Sequence, residues 1–110
     1  EHKFLTSALV GGILPIALGV ALGAKRLGLD ERVWVFIGDM AWRTGVFHEF
    51  EQYATGHDLP VDIVVEDNGL STNTPTEEVW GEEDGDPGYH GYIYKRTVPH
   101  TGVGEWVTFG

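Results

Sequence analysis

Cysteine is absent from the 110 residues. That excludes a disulfide scaffold, a zinc ribbon, an iron–sulfur centre and a thiol nucleophile, and it leaves the redox compartment open. Basic residues are scarce, with 7 Lys and Arg against 17 Asp and Glu and a net charge of −10. So acidic a surface repels phosphate backbones and anionic lipid, so neither nucleic acid nor a membrane is expected as a partner. A long apolar run is also missing. Ala8 to Ala24 carries no polar side chain for 17 residues, but a spanning helix needs about 20, and Gly11, Gly12, Pro15, Gly19 and Gly23 interrupt the run. It also resembles a signal-peptide core, with Lys3 before it and small residues at its end. Glu1 ahead of Lys3, and an enzyme-like remainder, favour a buried helix. The chain opens on Glu1 rather than Met, which raises the expectation of a processed or partial product.

What remains is globular. Hydrophobic residues make up 42% and charged residues 22%, close to the average for folded domains, so one domain over 1–110 is expected. Residues 8–27 read as one helix, apolar nearly all round, with Pro15 near its first turn and Lys25, Arg26 and Gly28 as stop signals. Val33 to Ile37 is a continuous run of β-formers, which suits a parallel strand covered on both faces. Gly38-Asp39 ends it. A second helix is expected over Gly45 to Thr55, closed by Gly56 and Pro60, and a second strand over Val61 to Val65. Strand, helix, strand with short links is a βαβ unit. Residues 69–91, rich in Gly, Pro, Thr and acids, read as a long acidic loop. Tyr92-Ile93-Tyr94 is a candidate third strand, and Trp106 to Phe109 is too short to assign.

Asp39 follows the first strand and Asn68 the second. In a parallel α/β sheet, ligands bind beyond the carboxyl ends of the strands. A carboxylate and an amide oxygen are hard ligands suited to Mg²⁺ or Ca²⁺. A helix starting near Ala41 to Gly45 would face free N–H groups to the same crevice, an arrangement that binds phosphate. The plainer alternative is that Asp39 and Asn68 only close turns, as Asp and Asn commonly do after strands. His48 and Glu49 are adjacent on a helix, about 100° apart, so they do not share a ligand easily. The acids between Glu77 and Asp86 read as a solvated charge run. The four tryptophans read as core or interface anchors.

The order of motifs narrows the choice. Gly38-Asp39-Met40-Ala41, Gly45, Phe47-His48-Glu49, Leu59-Pro60-Val61, Val64-Val65, Asn68-Gly69 and Thr74-Pro75 follow one another without a gap. This resembles the thiamine diphosphate motif, which begins Gly-Asp-Gly and ends on an Asn at a similar separation; here Asp39 and Asn68 stand 29 residues apart. The resemblance is to the alpha subunits of the thiamine-dependent 2-oxo acid dehydrogenases, pyruvate and branched-chain types, in the transketolase-like superfamily. Val10-Gly11-Gly12 and Pro15 match the same pattern upstream, so the likeness runs from Ala8 to Pro75, about 60% of the chain. It implies an α/β fold, a parallel sheet with flanking helices that binds the cofactor diphosphate, in a truncated version. It implies that Asp39 and Asn68 ligate Mg²⁺ by their side chains and Leu70 by its carbonyl. Gly38 opens the motif, Met40 and Ala41 offer backbone N–H groups to the diphosphate, and Ala8 and Val10 lie beside the aminopyrimidine. Arg96-Thr97-Val98-Pro99-His100-Thr101 fits a downstream loop of the family, which makes His100 the candidate catalytic and cofactor-contacting histidine; the alternative is a surface loop histidine.

The chain departs from the pattern in three places. Met40 replaces the second glycine of Gly-Asp-Gly, a strained substitution if the turn needs positive φ. Asp67 replaces the first Asn of the usual pair. The interval from Asn68 to His100 is 32 residues, where the family places another strand and helix. The implied function is the diphosphate- and Mg²⁺-binding component of a cytoplasmic thiamine diphosphate enzyme acting on a 2-oxo acid. A pyrimidine-domain, beta-type subunit completes its active site in a homo- or hetero-oligomer. A transketolase-like component acting on a ketose and a non-catalytic scaffold of the same fold are the alternatives.

Overall fold

The computed structural model describes residues 3–82 and 87–100. The run expected as one helix over 8–27 divides in two. Gly11 lies in the left-handed region at φ +73°, and the Gly12 N–H donates to the Leu9 carbonyl in a turn. A left-handed residue cannot continue a right-handed helix, so helix α1 starts later and spans Ile13–Arg26. Pro15 falls in its first turn, where a missing N–H costs nothing. At the other end Gly28 adopts φ +66°, its N–H donates to the Lys25 carbonyl, and the Leu29 N–H reaches back to Ala24. This pair of bonds satisfies carbonyls that would otherwise be orphaned at the helix end.

Strand β1 covers Val33–Gly38, helix α2 Asp39–Trp42, helix α3 Gly45–Gly56 and strand β2 Val61–Asp67. The expected βαβ unit is present, with the short α2 inserted directly after β1. Thr44 caps α3, its Oγ1 accepting the Phe47 N–H at 3.3 Å. Lys25 ties the end of α3 to α1, donating to the carbonyls of His57 and Asp58, both at 2.7 Å. Strand β1 runs parallel to β2 from Val33↔Val61 to Gly38↔Glu66.

The segment 69–91 is not the continuous loop expected. Strands β3 (Leu70–Ser71) and β4 (Thr74–Pro75) form a small antiparallel hairpin, and helix α4 follows over Thr76–Trp80. Gly69 at φ +67° and Thr72 at φ +55° supply the reversals, and the Thr76 N–H closes onto the Gly69 carbonyl at 2.9 Å. Strand β5 (Gly91–Ile93) then joins the main sheet parallel to β2, one residue earlier than expected, giving the order β1-β2-β5. Among the described residues, the interval between Asn68 and His100 thus holds a hairpin, one five-residue helix and one strand. Trp106 to Phe109 and Thr101 lie outside the described residues.

The architecture is the expected α/β arrangement, a parallel sheet with flanking helices. Its core lies on one face, where Val35, Ile37 and Val65 pack with Leu14 and Ala17 of α1, Ala41, and Phe47 and Phe50 of α3. Among the described residues, the two-sided cover expected for β1 is not found. Trp34 and Phe36 on its other face are 58% and 55% exposed. No helix among the described residues is long and apolar enough to cross a membrane.

Candidate cofactor site

The parallel register brings the carboxyl ends of β1 and β2 level, Gly38 beside Glu66. Asp39 heads α2 at the first of these ends and Asn68 leaves the second. Asp39 is 4% exposed. Its Oδ1 accepts the Asn68 backbone N–H at 3.4 Å, and its Oδ2 accepts the Thr76 hydroxyl. A buried carboxylate needs such donors, because burial without them disfavours the charge. Neither partner follows from helix or strand periodicity, and Thr76 stands out in the sequence only as the residue after Thr74-Pro75.

Asn68 is held at both ends of its amide. Its Oδ1 accepts the Leu70 N–H at 3.0 Å, and its Nδ2 donates to the Tyr94 hydroxyl oxygen at 3.1 Å. Asp67, which stands where the resemblance places an Asn, accepts the Gly69 N–H at 2.9 Å and the Tyr89 hydroxyl. Tyr89 in turn meets Trp42 edge-on, with ring centroids 5.3 Å apart. The Tyr92 hydroxyl donates to Glu66, and that bond raises the tyrosine pKa above its ordinary value.

Two clefts flank this junction. The larger, about 750 Å³, is lined by Asp39, Asp67, Asn68, Leu70, Thr76 and Tyr89 among others. The smaller, about 460 Å³, is lined by Ala8, Val10, Gly38, Met40, Ala41, Asn68, Leu70 and His100, with Glu66, Tyr94 and Arg96. Every candidate residue except Asp39 therefore borders the smaller cleft. Asn68 and Leu70 border both, forming the wall between Asp39 and the rest. His100 reaches the cleft despite the short interval before it. Arg96 braces the adjoining hairpin, donating to the Thr72 carbonyl and to the Asn73 side-chain oxygen.

The donor set that the resemblance names at the junction is one carboxylate, one amide oxygen and the Leu70 main chain, with the Asp67 carboxylate on the same cleft. Among the described residues no group of three or more His, Cys, Asp and Glu is gathered that could hold a metal. The available ligands are hard oxygens of low total charge, which fit Mg²⁺ with its remaining positions taken by phosphate or water. Met40 lies within α2 and is not among the residues with positive φ. Its side chain therefore costs no left-handed strain, and the Trp80 indole N–H donates to its sulfur at 3.2 Å. Gly38 is extended, at φ −75° and ψ 161°, and a Cβ there would meet nothing within 4 Å. Packing within this chain does not itself demand glycine at that position.

Comparison with known proteins gives the family. The family described as "Thiamine pyrophosphate enzyme, C-terminal TPP binding domain" matches residues 1–94; thiamine pyrophosphate is another name for thiamine diphosphate. The alpha subunit of acetoin:2,6-dichlorophenolindophenol oxidoreductase from Bacillus subtilis is 39% identical over 71 residues, 64% of this chain and 21% of that one. The subunit of the same name from Cupriavidus necator is 37% identical over 68 residues, 62% of this chain and 20% of that one. A 1-deoxy-D-xylulose-5-phosphate synthase from Ralstonia pickettii is 40% identical over 60 residues, 54% of this chain and 9% of that one. The X-ray structure of "a putative thiamin diphosphate-dependent enzyme isolated from Mycobacterium smegmatis" shares 34% identity over 53% of this chain and 11% of its own, with a TM-score of 0.47. The matched region is about a fifth of the length of the two oxidoreductase subunits. With 1–94 of its residues matched, this chain belongs to the family of C-terminal thiamine pyrophosphate-binding domains of thiamine pyrophosphate enzymes.

Proposed function

We propose that this chain is the diphosphate- and Mg²⁺-binding component of a thiamine diphosphate-dependent enzyme acting on 2-oxo acids, with the active site completed by a pyrimidine-domain, beta-type subunit. One observation carries the reading. The parallel pairing of β1 and β2 joins Asp39 to Asn68 at the wall of a cleft that also gathers Ala8, Val10, Gly38, Met40, Ala41, Leu70 and His100. Asp39 and Asn68 offer side-chain oxygens to Mg²⁺ and Leu70 its carbonyl. Met40 and Ala41 offer main-chain N–H groups to the diphosphate. Ala8 and Val10 would lie beside the aminopyrimidine through their backbones, and His100, on the same cleft, would contact the cofactor. When bound, thiamine diphosphate supplies a nucleophilic thiazolium carbon for attack on a carbonyl. The protein's part is to orient it, neutralise its phosphates and exclude water.

The need for a partner rests on the acids. A general base must reach its proton directly or through one water. Asp39 is engaged by Thr76 and Asn68, and Asp67 by Gly69 and Tyr89. Glu66 borders the smaller cleft but accepts the Tyr92 hydroxyl. The two oxidoreductase relatives are named as alpha subunits, which supports a second kind of chain in the assembly. The likeness to a 1-deoxy-D-xylulose-5-phosphate synthase favours a second reading, a ketol-transfer component of the same cofactor class. The unstrained backbone at Met40 removes one motive for a purely non-catalytic scaffold.

Calorimetric titration with thiamine diphosphate, with and without Mg²⁺, tests the site. Turnover is then measured on pyruvate, branched 2-oxo acids, acetoin and xylulose 5-phosphate, with and without a pyrimidine-domain chain. Binding only with Mg²⁺, and turnover only with the partner, are expected. Robust turnover by this chain alone would show that the activating acid lies within it, with Glu66 the first residue to replace.

A further inference from the structure

We propose that Tyr94 is a positioning residue for the cation: it holds the Asn68 amide by its nitrogen, so that the amide oxygen is the end presented to Mg²⁺. The inference rests on the cofactor-site reading above and extends it to a residue outside the thiamine motif.

An asparagine amide is two-ended. Its oxygen has two lone pairs and can ligate a hard cation, whereas its NH₂ carries only donors and repels one. Here the Leu70 N–H lies 3.0 Å from Oδ1 and the Tyr94 hydroxyl oxygen 3.1 Å from Nδ2. Turning the amide over would set Nδ2 against the Leu70 N–H, donor against donor. The Leu70 bond uses one lone pair of Oδ1 and leaves the other for a metal. The Tyr94 bond accepts from the amide nitrogen and so keeps that end occupied away from the cation.

Tyr94 is itself fixed from the main chain. Its N–H donates to the Asp67 carbonyl at 2.8 Å, just past the end of β5. Three consecutive residues leaving β2 are each held by a tyrosine hydroxyl: Glu66 by Tyr92, Asp67 by Tyr89 and Asn68 by Tyr94. A carboxylate presents equivalent oxygens whichever way it turns, so only at Asn68 does it matter which end of the side chain the tyrosine holds once the Leu70 N–H has set the amide's orientation. Asn68 and Tyr94 border the same small cleft. Tyr94 is 42% exposed, so removing its hydroxyl opens no core cavity.

The test is Tyr94→Phe in the full chain, made both alone and on an Asn68→Asp background. Bound thiamine diphosphate is followed by near-UV circular dichroism as Mg²⁺ is titrated, and the ligand-free melting temperature is recorded. Losing one hydrogen bond predicts an Mg²⁺ midpoint about 3–10-fold higher. Cofactor affinity at saturating Mg²⁺ stays at the parent value, and the ligand-free melting temperature falls only by what one exposed hydrogen bond is worth. On the Asn68→Asp background the two oxygens are equivalent, so Tyr94→Phe shifts the midpoint by less than about twofold. An unmoved midpoint in the single variant overturns the role of Tyr94 and leaves the site reading intact. Equal shifts on both backgrounds overturn it as well, because they mark a packing effect. A parent chain whose cofactor binding ignores Mg²⁺ overturns the site reading and this proposal together.

Discussion

The Asn68 backbone N–H lies 3.4 Å from the Asp39 carboxylate, joining the ends of two neighbouring parallel strands across 29 residues of sequence. A carboxylate so placed has two tasks. It anchors the start of the hairpin that follows β2, through Asn68 and Thr76, and it faces the larger cleft with its remaining lone pairs. The structural role of Asp39 and the ligand-binding role proposed for it therefore overlap, and the choice of substitution has to separate them.

Asp39→Asn is the separating variant. The amide keeps an acceptor for the Asn68 N–H and a partner for the Thr76 hydroxyl, so the fold is expected to persist. The metal loses its anionic ligand, and Mg²⁺-dependent cofactor affinity falls by about tenfold or more, at least ~1.4 kcal/mol. Asp39→Ala is less informative, because stranding two donors costs about 1–3 kcal/mol of stability by itself. Calorimetry with unchanged affinity in Asp39→Asn would sink the metal assignment.

Thr76→Val keeps the shape of a side chain that is 4% exposed and deletes the hydroxyl that Asp39 accepts. The stranded carboxylate oxygen is expected to cost about 1–3 kcal/mol in urea denaturation. Saturating Mg²⁺ and cofactor should shrink that cost, because a bound cation takes over the charge. A cost that ligands do not reduce would place the Thr76 bond away from the metal.

Gly91 pairs with Val65 so closely that a Cβ would overlap the Val65 carbonyl group. Gly91→Ala is therefore expected to push β5 off β2, at about 1–3 kcal/mol of overpacking. Amide exchange should speed up at Val65, whose N–H donates to His90, and at Tyr94, whose N–H donates to Asp67. Unaltered protection at both amides would show that the strand tolerates the methyl group.

Trp34 and Phe36 on β1, with Ile16 and Val20 on α1, leave apolar surface open to solvent. Patches of that kind mark interfaces, and a parallel sheet is ordinarily covered on both faces. The chain is expected to self-associate in the absence of a partner, and Trp34→Lys with Phe36→Lys to weaken that association. Sedimentation velocity at micromolar concentration decides it, with a stable parent monomer as the contrary result.

Arg32 donates to both carboxylate oxygens of Asp62, at 3.0 Å for the Nη2 to Oδ1 bond. That hydrogen bond holds the Asp62 carboxyl below its ordinary value of 3.8. A lowered folded-state pKa contributes stability that is present above the ordinary value and is lost as pH falls through the folded one. The melting temperatures of the parent and Asp62→Asn are thus expected to differ at neutral pH and to converge below pH 3.8. A gap that persists in acid would assign the effect to packing.

The local grammar of the chain is legible in its sequence. The branched apolar runs at 33–37 and 61–65, the helix between them, the stop at Gly28 and the ordered motif from Gly38-Asp39 to Asn68 each depend on residues a few positions apart. Backbone preference and side-chain period report such features directly. The start of α1 is not legible there, because the apolar run continues through Gly11, whose positive φ no hydropathy pattern records. The contacts that complete the site are of another kind. Thr76 meets Asp39 across 37 residues and Tyr94 meets Asn68 across 26. Whether those hydroxyls arrive depends on the path of the hairpin, α4 and β5 between them. The uncovered face of β1 is likewise a property of where both long helices pack, since an apolar strand reads the same with one covered face or two.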